Sequence, residues 1–122
     1  MKGRDMDDML IKRFEQPDDT TTFEKGRFDT INVGGMTLGM ATYEPGWKWS
    51  EHIGKQSGNQ WCSTEHVGVV LSGIGAASFR DGTVREMREG DAFHITGEHD
   101  SWVIGDTPYV SLHLVGAKEY AH

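Results

Sequence analysis

Pro45-Gly46-Trp47-Lys48-Trp49-Ser50-Glu51-His52 begins a constellation that continues through Cys62, His66, Gly90-Asp91 and His99. Three histidines and the single cysteine fall around short runs that glycines interrupt. Runs of this kind, rich in Val, Ile, Thr and aromatic residues, form strands rather than helices. Ligand-type side chains spread over several of them suit a metal pocket assembled inside a small β-barrel. Nothing else in the sequence points as directly to chemistry.

Outward from that stretch the pattern repeats. Candidate strands fall at 27–33, 36–43, 47–53, 66–72, 74–80, 83–88, 92–96, 101–105 and 109–115. Asp81-Gly82, between Ser78-Phe79-Arg80 and Thr83-Val84-Arg85, predicts a hairpin through a type I′ turn, and Gly34-Gly35 predicts a similar one. No segment after residue 30 keeps a helical period of apolar residues. Eight or nine short strands at regular spacing predict an all-β sandwich or barrel. Ahead of it, residues 1–27 are expected to form an N-terminal arm, and 28–122 a single barrel domain. The first part of the arm is polar and charged, with one apolar patch at Met9, Leu10, Ile11 and Phe14, and reads as a loose segment or single helical turn ending near Pro17.

The 122 residues suffice for one domain and not for two ordinary ones. A domain of this size buries roughly two-thirds of its unfolded surface, enough for one core without disulfides. Cys62 has no second cysteine to pair with, which fits a reducing compartment or a thiol kept for packing or ligation. Twelve basic against nineteen acidic residues give a net charge of −7, which argues against a nucleic-acid partner. No apolar run approaches the roughly 20 residues that span a bilayer, and no signal-peptide core is present. A cytoplasmic protein with no membrane partner is the expectation.

Alternation assigns the histidines to strand faces without saying which face is inside. If 47–53 is a strand, Lys48, Ser50 and His52 lie opposite Trp47, Trp49 and Glu51. His66 shares a face with Gly68 and Val70, and His99 with Ser101 and Val103. His113 shares one with Tyr109 and Ser111, opposite Val110, Leu112 and Leu114.

These spacings resemble the cupin superfamily, and the wording of 45–52 and 99–106 is similar to small single-domain bacterial cupins of unassigned function. In the first cupin motif five residues separate a Gly from a metal-binding His, as they separate Gly46 from His52. The motif's second His, two positions on, is Gly54 here. Its acidic ligand lies seven residues before a strand-ending Gly; counting back from Gly73 reaches His66, a histidine in place of Glu. The loop from Gly54 to Glu65 is longer than that motif allows. A second alignment counts back four from His66, putting Cys62 and Gln60 in the places of the two motif histidines. The second motif, a Gly-Asp, a short strand, Ile-Pro-Pro-Gly and a His, corresponds to Gly90-Asp91 through His99, with Thr96, Gly97 and Glu98 replacing both prolines and the glycine. The usual His position falls on Ser101, two residues beyond His99.

The resemblance implies a jelly-roll barrel open at one end, with a divalent transition metal (Zn, Fe, Ni or Mn) inside. The implied ligands are His66, His52 and His99, with Cys62 next. It also implies a small polar or carboxylated ligand and, if the protein is an enzyme, chemistry resembling that of small Fe(II) dioxygenases; a homodimer is expected because exposed sheet edges and apolar outer faces in small barrels invite pairing. The alternative is a non-catalytic small-ligand-binding or sensing module with no metal or a vestigial site. Glu51 and Glu98 flank motif positions and are the candidate acid/base groups, against a role as solvated loop carboxylates. Cys62 has two further readings, an inert buried thiol and a nucleophile with His66 as its base. Trp47, Trp49, Trp61 and Trp102 are assigned to core or interface, with Trp61 at the pocket mouth.

Overall fold

The computed structural model describes residues 8–115; residues 1–7 and 116–122, the latter including His122, lie outside the described part. Among the described residues nine strands follow one another: β1 (Asp19–Phe23), β2 (Gly26–Val33), β3 (Met36–Tyr43), β4 (His66–Ser72), β5 (Ile74–Phe79), β6 (Val84–Arg88), β7 (Ala92–Ile95), β8 (His99–Ile104) and β9 (Tyr109–Val115). Two short helical turns, α1 (Trp49–His52) and α2 (Gly54–Ser57), lie between β3 and β4. A six-stranded sheet in the order β1-β2-β3-β9-β4-β7 faces a three-stranded sheet in the order β6-β5-β8, and every pairing is antiparallel. The architecture is all-β, as the strand spacing predicts, in the jelly-roll form that the resemblance implies.

The barrel interior is set by which face of each strand is polar, and here it is the more polar one. On β9 the buried residues are Tyr109, Ser111 and His113, while Val110 and Leu112 are half-buried and Leu114 is exposed. On β4 the same holds for His66, Gly68 and Val70 against Val67, Val69 and Leu71. The histidines therefore point inward, into a core of Phe28, Ala41, Tyr43, Trp47, Trp49, Cys62, Val70, Val103 and Tyr109. Tyr109 reaches across to the facing sheet because Gly75 carries no side chain; a Cβ there would stand 2.9 Å from the tyrosine ring.

The turns follow their chemistry. Gly34 and Gly35, both at positive φ (58° and 77°), close the two-residue β2–β3 hairpin with Val33 opposite Met36. The β5–β6 hairpin also forms, but not through a type I′ turn. Gly82 N–H bonds to the Phe79 carbonyl at 2.9 Å and Phe79 N–H to the Thr83 carbonyl at 3.0 Å. Gly82 alone of the pair has positive φ, 89°. Asp81 accepts the Thr83 N–H at 2.9 Å instead, so its side chain shapes a three-residue turn that a two-letter signal does not reveal.

Two expectations need correction. Residues 47–53 are not a strand. Gly46 takes φ 93°, and the chain touches β8 through one bridge, Lys48 opposite Trp102, and a bond from Val103 N–H to the Trp47 carbonyl. It then winds into α1 because Asp100 of β8 offers its carboxylate to Ser50, accepting the backbone N–H at 3.0 Å and the hydroxyl at 2.8 Å. A side chain from another strand thus satisfies an N–H that the start of a helix leaves open. The arm, for its part, contributes to the sheet: the β-branched run Thr20-Thr21-Thr22 forms β1 and pairs with β2 along its length. Before it the chain makes a turn closed by Gln16 N–H on the Arg13 carbonyl, not a helix. Among the described residues no helix is long and apolar enough to cross a membrane.

Candidate metal centre

Three side chains converge in the barrel: Cys62, His66 and His99, all buried, with one ligand atom from each lying within 4.8 Å of the others. His66 opens β4 and His99 opens β8, so strand geometry aims both. Cys62 sits on the connection between α2 and β4 and would be free to wander without a tether. Its N–H bonds to the His99 carbonyl at 2.7 Å and its carbonyl receives the His99 N–H at 3.0 Å. This two-bond bridge holds the loop cysteine against the strand histidine.

The chemistry of each donor is set locally. His99 Nδ1 lies 2.9 Å from the Gly97 carbonyl, which can only accept, so Nδ1 carries the proton and Nε2 keeps its lone pair. Cys62 Sγ and His66 Nε2 are 3.7 Å apart. Burial, reinforced by His113 and His99 nearby, pulls the His66 pKa down to about 3. Burial also lowers His99, against the opposing pull of Gly97 and Asp100, and brings His113 to about 4. The Cys62 thiol is pushed up by burial. At neutral pH the cluster therefore offers neutral imidazoles with open lone pairs and a thiol whose proton a metal would displace.

His113 stands beside this group, its ring 5.4 Å from that of His66 and its Nε2 2.9 Å from Ser111 Oγ. The shared cavity measures about 40 Å³ and is walled by aromatic residues, Tyr43, Trp47, Trp49, Phe93, Trp102 and Tyr109, together with Met87, Ile95, Ser101 and Ser111. One water needs roughly 10–15 Å³ on this measure, so the space suits an ion and a ligand of a few heavy atoms. No carboxylate, lysine or arginine lines it among the described residues.

The structure brings together three of the four expected ligands and leaves His52 outside the cluster. Because 49–52 is helical, His52 folds back on its own turn: Nδ1 lies 2.9 Å from the Lys48 N, and Nε2 faces Glu24 at 3.8 Å. The Cys62/His66 alignment is thus the one whose residues meet, although Gln60 is exposed. Ser101 and His113 line the cavity. Glu51 and Glu98 are both on the surface, Glu98 paired with Arg80. His94 is exposed and pairs with Glu65. Trp47 and Trp49 are core residues, while Trp61 is half-buried with Arg80 stacked over it at 5.4 Å. Sequence reading missed Tyr43, Tyr109 and Met87 as cavity residues; for Tyr109, the face it shares with His113 was the available signal.

No family model matches the chain, and no curated protein matches it. Solved structures do. A structural-genomics protein of unknown function from Rhizobium leguminosarum aligns over 88% of this chain and 97% of its own, with 17% identity and a TM-score of 0.54. Oxalate decarboxylase from Bacillus subtilis aligns over 84% of this chain, with 20% identity and a TM-score of 0.58, but this chain spans only 28% of that one. CapF aligns over 80% of this chain and 30% of its own, with 20% identity and a TM-score of 0.55. These likenesses show the fold, a cupin-type jelly roll, as the spacing of Gly46, Gly73 and Gly90-Asp91 implies.

Proposed function

We propose that the chain is a small metal-binding cupin that holds one divalent transition ion at Cys62, His66 and His99 and keeps its open coordination positions for a small polar or carboxylated ligand. The observation that carries this is the convergence of three buried donor atoms within 4.8 Å, one with its tautomer fixed for ligation. Oxalate decarboxylase, a structural neighbour, is a Mn(II) protein. Here one thiol and two imidazoles form the donor set, which favours Zn or Fe over Mn or Ni because thiolate is the softer ligand. Bound there, the metal would supply Lewis acidity or a site for O₂. The protein's own part is to fix the donors, exclude bulk water with an aromatic wall, and offer Ser111 Oγ and His113 Nε2 as neighbours that can share a proton.

A second reading, a non-catalytic binding module, has its own support. No carboxylate base lines the cavity among the described residues, and Cys62 and His66 already contact each other. We further propose a cytoplasmic homodimer acting on a small molecule. The deciding experiment is elemental analysis of untagged protein purified without added metal, followed by O₂ consumption with candidate acids. One equivalent of Fe with acid-dependent O₂ uptake supports the enzyme; one equivalent of metal without turnover supports the module; protein that neither retains nor takes up a metal sinks the metal reading.

A further inference from the structure

β6 is an outer strand of the three-stranded sheet and β7 of the six-stranded one, and among the described residues no ladder joins them. A cleft of about 420 Å³ opens between these two edges, beside the metal cavity of about 40 Å³. Met87, Phe93 and Ile95 line both spaces, so side chains rather than main chain stand between them. The cleft also borders the donors. Ile95 lies in register with His66, and the Phe79 ring sits 6.3 Å from that of His99. A ligand too large for the metal cavity therefore has a continuation toward β6 and β7.

Most charges along this cleft are committed elsewhere. His94 pairs with Glu65 at 2.7 Å, Glu86 pairs with Arg88 at 2.6 Å, and Asp91 accepts the Arg88 N–H at 2.8 Å. Arg85 differs. Of the five described arginines, Arg13, Arg27, Arg80 and Arg88 each pair with a carboxylate, and Arg85 pairs with none among the described residues. It shares a strand face with Met87, which lies opposite Gly75 where the Tyr109 ring crosses, so that face looks into the barrel. Arg85 itself lies opposite Ala77, and Ala77 opposite Ser101, two residues beyond His99. Strand spacing then separates the Cα atoms of Arg85 and His99 by roughly 7 Å along the strands and roughly 10 Å across them, a gap that an arginine and a short ligand span together.

We propose that this cleft is a second subsite of the metal centre, in which Arg85 binds the far carboxylate of a short-chain dicarboxylate whose near end sits at the metal. This rests on the metal reading above and adds to it an anion subsite, a specificity-determining residue and a requirement for two acidic ends. The spacer lies along Met87, Phe93 and Ile95, apolar contacts that suit methylene groups. A single guanidinium beside Asp91 suits one negative charge better than a phosphate monoester, which carries nearly two.

The test uses the full chain loaded with Co(II), whose thiolate-to-metal and ligand-field absorption reports ligation directly. Succinate and succinamate, equal in length and differing in the charge of the far end, are titrated into wild type, Arg85→Gln, Arg85→Lys and Arg13→Gln. Wild type is expected to bind succinate about tenfold more tightly than succinamate, the lower end for a charged hydrogen bond because solvent reaches the guanidinium. Arg85→Gln should lose that tenfold for succinate and nothing for succinamate, and Arg85→Lys should recover part of it. Arg13→Gln, which removes a charge outside the cleft, should match wild type. An exposed site on an edge strand tolerates these changes, so each variant should fold and hold one Co(II). Equal binding of the two acids by wild type overturns the inference, as does an Arg85→Gln chain with wild-type affinity for succinate or with equal losses for both acids. Wild type that holds Co(II) and binds neither acid also overturns it and leaves the metal reading standing. Wild type that takes up no Co(II) overturns both.

Discussion

Cys62 and His99 face each other across two backbone hydrogen bonds, 2.7 and 3.0 Å long, so a loop thiol is positioned by the same strand that supplies one imidazole. Replacing Cys62 by Ala leaves that bridge intact, because it is made of main chain, and removes only the sulfur. Metal affinity in Cys62→Ala is expected to fall by more than the roughly 10–100-fold that second-sphere changes produce, since a charged ligand is lost outright. Fold and thermal stability without metal should hardly change. Isothermal titration with Zn(II) decides it: wild-type affinity in the variant would remove Cys62 from the site.

Asp100 holds α1 in place, and its removal should be felt in stability. Its carboxylate accepts from Ser50 N–H, Ser50 O–H and the Ser101 N–H at 2.9 Å, with Lys48 Nζ at 3.9 Å. Asp100→Ala takes the acceptor from the partly buried Ser50 and Ser101 donors, a loss of about 1–3 kcal/mol. Ser50→Ala deletes one of the bonds and is expected to cost about 1 kcal/mol. Urea unfolding measures both, and equal stability of all three proteins would mean that α1 does not depend on this contact.

Acid should unfold the metal-free protein through its buried histidines. Burial lowers His66 to about 3 and His113 to about 4, from an ordinary value of 6.5, and lowers His99 as well. Below pH 6.5 the unfolded chain takes up protons that the folded chain refuses, so stability falls as pH falls through this window. The loss ends for each group at its folded value. The slope is at most about 1.4 kcal/mol per pH unit for each histidine. Chemical denaturation in chelator from pH 7.5 to 4 should show this decline, and His113→Gln should make it shallower by one group's share. A flat profile between pH 6.5 and 4.5 would contradict the depressed values.

How much of this was legible beforehand depended on which residues carry the information locally. The turns at Gly34-Gly35 and Gly90-Asp91 are written in backbone chemistry, since each needs positive φ: 58° and 77° in the first pair, 91° at Gly90. They fixed the strand pattern and so the fold. The inward face of β4 and β9 was ambiguous because hydrophobicity points the wrong way: Val110, Leu112 and Leu114 turn outward so that Ser111 and His113 can line a cavity. His52 was misplaced for a different reason. Its position depends on Asp100, 50 residues from Ser50 in sequence, which turns a strand-like run of aromatics into a helix. Such a tertiary override of local pattern cannot be read from a single segment.

The outward apolar face has a consequence for assembly. Leu112 of β9 lies in register with Met40 of β3 and Val69 of β4, giving a hydrophobic row across the middle of the six-stranded sheet. Leu71 of β4 at 41% and Leu114 of β9 at 38% extend it to exposed positions. Apolar surface of this kind on a sheet face is commonly covered by another chain. Light scattering should therefore give a mass of twice 13.6 kDa for wild type. Leu71→Arg adds a charge at an exposed site, which costs the fold little, commonly within about 0.5 kcal/mol, while burying an unpaired guanidinium in a self-associated face. The variant should run as a folded monomer with unchanged metal content. A wild-type monomer at tens of micromolar, or a Leu71→Arg dimer as tight as wild type, would place the contact elsewhere or remove it.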